Sequence, residues 1–302
     1  MSQSIRENKG AATAPGLFAL LPAIILLQLL DALCFPVTRF GIQQVEPFTF
    51  AFFRFTISSV ILLAIVRLMK PEKQIARSDW WKIGLLAVII IPGNQLMYMF
   101  GQSMTAAGHG AFLFATAPVW IFVLALIHLK EKVTWQKVLG IVLSFGGVLV
   151  IMLGGRVYFG TEYVWGDAVI LIAVLAWSYY TIIGKPLVEK YGALRITAYA
   201  LATGSALYFP YGLYCAITFD YSAVTAGAWG AVVYMALGMS VALYVLWYWV
   251  LKYMDASRLA IWHNLFPVVS VIVAYFLLGE PLTTSFVVGG MAVLAGVTIT
   301  EV

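Results

Sequence analysis

Two residues that carry charge at neutral pH sit inside long apolar runs, Asp31 in PAIILLQLLDALC and Arg54 in FAFFRF. A charged side chain at the centre of a membrane span costs about 2.5–3.5 kcal/mol on insertion scales, so each needs a reason. Asp31 lies about eight residues from the far end of its run and Arg54 about seven residues into the next, which at ~1.5 Å per residue gives them similar depth. Two readings follow. The residues form a structural ion pair, or Asp31 carries a proton or binds a substrate amine.

Uncharged groups add to this pair. PGNQLMYMF at 92–100 sets Asn94, Gln95 and Tyr98 beside Pro92 and Gly93, where a loosened helix exposes carbonyls to a ligand; the alternative is a packed helix whose amides bond neighbours. AWSYY at 176–180 and ALYVLWYW at 242–249 place Trp177, Tyr244 and Trp247 too deep for an interfacial belt, so they wall a cavity or pack a core. IWHNLFP at 261–267 puts Trp262, His263 and Asn264 ahead of Pro267, whose ring removes the backbone bond to the carbonyl of residue 263. These three could hydrogen-bond a substrate's amino or carboxylate group and wall its side chain. The alternative is a satisfied polar pair between helices.

Several chemistries are missing from the sequence. No GxxxxGK stretch cradles a nucleotide. There is no HExxH or GxSxG, and His109, His128 and His263 lie in different runs, so an enzyme is not the expectation. Cys34 and Cys215 each sit alone in apolar sequence and read as inert buried thiols. Nothing calls for a cofactor or a metal.

The elements that must position these residues follow from composition. The chain is 63% hydrophobic and 10% charged, which marks an integral membrane protein. The apolar runs are continuous and about 20 residues long, which fits helices and not the alternating strands of a barrel. They count to ten: 17–39, 47–69, 82–103, 109–128, 135–154, 164–185, 195–218, 228–251, 258–278 and 283–300. The first is too long for a leader peptide, and DALC has Leu before its cysteine, so it reads as a span. The connections are too short for a soluble domain, so any chemistry lies inside the bundle.

Charge orients the bundle. Arg6, Lys9, Arg67, Lys70, Lys73, Arg77, Lys82, Lys130, Lys132, Lys137, Lys185, Lys190, Arg195, Lys252 and Arg258 all fall on the N-terminal side. Arg39 and Arg156 fall on the other. Fifteen against two places the N-terminal side, and with ten spans both termini, in the cytoplasm. The basic balance is thereby explained as topology and needs no nucleic acid.

The chain also repeats itself. HLKEKVT at 128–134 and LLGEPLT at 277–283 match at an offset of 149 residues, pairing Leu129 with Leu278, Glu131 with Glu280 and Thr134 with Thr283. The same offset pairs Trp80 with Trp229, Pro118 with Pro267, Val119 with Val268, Gly140 with Gly289 and Gly147 with Gly296. A shorter offset pairs Thr38 with Thr181 and Gly41 with Gly184. The offset spans an odd number of helices, so the second copy is upside down and faces outside, where the lysines of the first copy are missing. The break before Pro118 and Pro267 recurs, but Phe114 and Ala115 stand opposite His263 and Asn264. The halves divide at 1–155 and 156–302. An inverted repeat is the architecture of secondary transporters, with the site near the midplane between the halves.

The segments APVWIFVLALIHLKEKVTWQKVLGIVLSFGGV and FPVVSVIVAYFLLGEPLTTSFVVGGMAVLAGV share the order proline, glutamate, threonine, glycine, glycine. With Arg54 in FAFFRF and LAW ending at Trp177, this resembles the EamA-like branch of the drug/metabolite transporter superfamily. Cys34 departs from it, standing where a tryptophan is common. The resemblance implies an all-α integral membrane fold, ten helices in two inverted five-helix repeats. It also implies a small-molecule carrier of the bacterial inner membrane. Length, the basic loop at 67–82 and aromatic content are similar to bacterial exporters of amino acids, aromatic ones included. The expected function is therefore export of amino acids and related metabolites by alternating access, with a multidrug or other metabolite carrier as the alternative. Its partners are that substrate and the bilayer, and two repeats make a complete unit without a second copy.

Overall fold

The structure, a computed structural model, describes residues 16–69, 74–105, 107–154, 160–269, 271–272 and 283–301. Eight of its helices are long and apolar enough to cross a membrane: α1 (Leu17–Ile42), α2 (Pro47–Leu68), α3 (Arg77–Ser103), α4 (His109–Leu129), α5 (Trp135–Gly154), α6 (Thr161–Tyr191), α8 (Ala226–Leu251) and α10 (Thr284–Glu301). Two of the ten expected spans fall short of that mark. The seventh, α7 (Ala193–Thr218), is unbroken, but its buried face carries Thr197, Gly204, Ser205 and Tyr208. The ninth begins as α9 (Ala256–His263), turns at Asn264 and Leu265, and is helical again from 266. Residues 270 and 273–282, which hold the rest of that span and the corner with Glu280, lie outside the described residues, as do Arg6, Lys9, Lys70, Lys73 and Arg156.

Local chemistry sets the helix ends. Pro47 opens α2, and the Glu46 carboxylate accepts from the Thr49 amide at 2.7 Å. Lys130 closes α4 in the left-handed region at φ 54°. Gly192, at φ +87°, lets α6 turn directly into α7, a conformation other residues resist.

Packing repeats with the two-fold pattern that the sequence offset implies. Helix α1 packs on α8 and α6 on α3, while α2 meets α7, α4 meets α9 and α5 meets α10. The α5–α10 contact is the closest. A methyl group on Gly147 would strike the Gly289 carbonyl oxygen, and one on Gly140 the Gly296 carbonyl oxygen, with the reverse collisions also true. Residue number rises along one helix as it falls along the other, so the two run antiparallel. The glycines of the repeat are thus used at both crossings of one interface, where only the lack of a Cβ permits backbone contact.

Two local distortions recur as well. Helix α3 widens to π-helical turns over Ile89–Leu96, around Pro92, and α8 does so over Met235–Leu243. At the offset of 149 these stretches largely overlap. Helix α4 turns at Ala115 and Thr116 ahead of Pro118, the register of the turn in the ninth span ahead of Pro267. Each proline lacks the N–H its helix needs, and the break follows.

Candidate functional site

Helices α1, α2, α3, α4, α6, α8 and α9 converge on one cavity of about 50 Å³, four of them, α3, α4, α8 and α9, at or next to their breaks and wide turns. It is lined by Asp31 and Cys34 of α1, Arg54 of α2, Asn94, Gln95 and Tyr98 of α3, Phe114 of α4, Trp177 of α6, Met239, Leu243 and Tyr244 of α8, and His263 of α9. Both halves contribute. A water needs roughly 10–15 Å³ of such space, so the cavity has room for a few waters and must open to admit a metabolite.

Charge in this cavity is not paired as depth alone suggests. The Asp31 Oδ2 lies 3.1 Å from the Nδ1 of His263. Arg54 instead donates from Nε to the Ser240 Oγ at 2.9 Å and stacks its guanidinium 4.7 Å from the Phe55 ring centre. The expected Asp31–Arg54 ion pair is not formed. The reason is azimuth: similar depth does not fix which way a helix faces. The Asp31–His263 approach is close without hydrogen-bond alignment, for neither atom has a hydrogen-bond partner among the described residues. The Nη1 of Arg54 and the Nε1 of Trp177 are likewise buried without one.

The other expected residues divide. Asn94, Gln95, Tyr98, Trp177, Tyr244 and His263 line the cavity; Trp262 and Asn264 do not. Trp262 donates to Glu301 Oε1 at 2.8 Å, and Asn264 donates to Ser144 Oγ at 3.0 Å, which is a polar pair between helices. Successive helical residues diverge by about 100°, so a run of three cannot share one face. Asn94 does double duty: its amide donates to the Ala173 carbonyl at 2.7 Å and its oxygen accepts from Gln95.

The floor of the cavity is aromatic. Trp177 contacts Tyr244 at 5.5 Å and Trp247 at 5.3 Å between ring centres, Tyr180 stacks on Tyr248 at 4.8 Å, and Trp247 meets His263 at 5.3 Å. Below it, at the end that carries the basic loops, Glu131 gathers the two halves. Its carboxylate accepts from Ser257 Oγ at 2.5 Å, from the Ala256 amide at 2.8 Å and from Lys137 at 3.2 Å. Lys137 also bonds Asp255 at 2.8 Å. Burial pushes the Asp255 carboxyl up, but the bond from Lys137 and the charges of Lys137, Lys185 and Arg258 outweigh it and hold the group below the usual range. The glutamate of the repeated corner therefore caps α9 and latches the two halves together at that end. This role, and Ser240 as the partner of Arg54, were not read from the sequence. The repeat of Glu131 as Glu280 and the single small polar residue of SVALY were the available signals.

At the opposite end, Thr105 and His109 bond Asp167 at 2.7 and 2.8 Å, and Thr225 bonds Gln44 at 2.7 Å.

The sequence profile of the EamA-like transporter family matches residues 17–153 and again 164–301. The chain belongs to that family. This EamA-like chain is therefore a transporter and not an enzyme. It is 29% identical over 285 residues to an uncharacterized transporter of Archaeoglobus fulgidus, covering 92% of this chain and 95% of the relative. It is 29% identical to a probable terminal-alkyne amino-acid exporter of Streptantibioticus cattleyicolor, covering 92% and 91%. A crystal structure with 19% identity superposes with a TM-score of 0.74 over 94% of this chain and 96% of that one, which is a likeness of fold.

Proposed function

We propose that this EamA-like transporter exports amino acids and related small amphipathic metabolites across the bacterial inner membrane by alternating access, with both termini in the cytoplasm. One observation carries the reading. The cavity between the halves combines a carboxylate (Asp31) and a guanidinium (Arg54), each with an unpartnered buried atom, and a wall of Trp177, Tyr244 and Phe114. An amino acid offers the complement: an ammonium for Asp31, a carboxylate for Arg54 and a side chain for the rings. The relative named for amino-acid export supports the same cargo class. The aromatic floor and the Glu131 latch fit a state closed toward the cytoplasm, from which the cavity opens outward.

The test is counterflow in proteoliposomes with a panel of amino acids and cationic dyes. The reading predicts exchange of amino acids that have apolar or aromatic side chains, and none of amines lacking a carboxylate. Exchange of dyes with no response to any amino acid would favour the multidrug alternative.

A further inference from the structure

We infer that Asp31 and His263 together form a proton site shared between the two halves, and that a proton taken up there is exchanged for the cargo. The inference adds a coupling ion to the site proposed above and rests on that reading for the cargo.

The argument begins with what the inverted copy lacks. His263 corresponds to Phe114 at the offset of 149, and the shorter offset that pairs Thr38 with Thr181 puts Val174 opposite Asp31. The matching corner of the fold is thus built from valine and phenylalanine, with the same break ahead of the proline. Packing does not require a polar pair there.

The pair itself is buried, with side chains 8% and 10% exposed, and Asp31 Oδ2 and His263 Nδ1 are 3.1 Å apart with no other partner among the described residues. A carboxylate oxygen and an imidazole nitrogen at that separation favour one proton between the two groups, which a small rotation of either side chain brings into line. Without it, two lone pairs face each other. Among the described residues, the other ionisable groups that line the cavity with the pair are Cys34 on α1, Arg54 on α2, Tyr98 on α3 and Tyr244 on α8, while Tyr234 on α8 donates to the Leu30 carbonyl. Glu301 and Lys137, at the ends of α10 and α5, are held by Trp262 and Arg258 and by Glu131 and Asp255. Arg54 is the one lysine or arginine among the described residues that line the cavity, and its Nε is engaged by Ser240.

Position makes the site a coupling device. Asp31 belongs to the first half and His263 to the second, so a movement that parts the halves parts the pair and lowers its hold on the proton. In a cavity of about 50 Å³, a cargo ammonium and the His263 proton cannot both answer the same Asp31 oxygen. Binding of the ammonium therefore releases the proton. One proton moves inward as one zwitterion moves outward, so each cycle carries one positive charge inward.

Two measurements on the reconstituted full chain test this. Histidine labelled for nitrogen magnetic resonance reports three rings, His109, His128 and His263. The His263 ring should titrate in wild type, and Asp31→Asn should shift that titration by about one pH unit or more, the size an adjacent opposite charge produces. Infrared titration of wild-type protein with labelled aspartate reads the same proton from the carboxyl and needs no substitution. L-phenylalanine efflux from wild-type proteoliposomes should accelerate at least severalfold with acid outside. A His263 titration unmoved by Asp31→Asn, with no matching aspartate band in wild type, would overturn the proton site. So would efflux that is intact yet indifferent to the gradient. If no L-phenylalanine moves at all, the cargo reading fails while the two titrations still decide the proton site.

Discussion

The breaks in α4 and in the ninth span are one corner of the fold built twice, and they differ only in chemistry. Both halves turn over the two residues directly before Ala-Pro or Phe-Pro, at Ala115 and Thr116 and at Asn264 and Leu265 respectively. The first copy presents Phe114 to the cavity and the second presents His263. The α5–α10 interface behaves in the opposite way: the glycines that recur in the sequence meet each other's carbonyl oxygens in space, two contacts of the same kind. Where the halves agree, the residues serve packing. Where they part, as at His263 and Asp31, polarity has been placed in a corner that folds without it.

The largest effect should come from breaking the symmetric part. Gly147→Val drives a branched side chain into the Gly289 backbone, and overpacking of this kind costs about 3 kcal/mol. Gly289→Val, the other member of the contact, should match it. Gly84→Val, with nothing within 4 Å of the added carbon, should leave folded yield unchanged. Monodispersity and thermal unfolding in detergent read all three, and a tolerant Gly147→Val would mean that the repeat glycines are not a packing device.

The asymmetric part should respond in transport and not in folding. Arg54 has no carboxylate partner to strand, so Arg54→Gln should fold normally while amino-acid exchange per folded molecule falls about ten- to hundredfold, the worth of a charge-assisted hydrogen bond of ~1.5–3 kcal/mol. A collapse of folded yield with exchange per molecule preserved would restore Arg54 to a structural role.

The smallest effect belongs to the rim of the latch. The Asp255 carboxyl is held below its ordinary value, so its contribution is complete above the unfolded value of ~3.9 and is lost only as pH falls through the lowered one. Asp255 is half-exposed, and Asp255→Asn should cost under ~1 kcal/mol at neutral pH. The difference between wild type and variant should vanish in strong acid. A difference that grows on acidification would contradict the assignment.

Much of the frame was legible in the sequence, because spans, glycine register and the prolines of each break are local signals that the 149-residue offset amplifies. Depth was legible too: Asp31 and Arg54 reach one cavity. What a rise per residue does not give is rotation about the helix axis, so Arg54 was matched to Asp31 and not to Ser240, and Trp262 and Asn264 were grouped with His263 although they face Glu301 and Ser144. The seventh span reads as apolar by length, yet its small and hydroxylated face meets two helices: Tyr208 donates to the Phe48 carbonyl of α2 and Gly204 lies against Ala87 and Ile91 of α3.

The central claim is that cargo binds in the cavity between the halves, and Cys34 offers a direct probe because it lines that cavity while Cys215, the other cysteine, lies elsewhere. In a Cys215→Ser background, the measurement is the rate at which methyl methanethiosulfonate modifies Cys34 in proteoliposomes, with and without saturating L-phenylalanine. The account predicts that modification blocks exchange and that L-phenylalanine slows the modification severalfold. Complete modification of Cys34 with exchange intact, unaffected by L-phenylalanine or by any amino acid the protein transports, would contradict it.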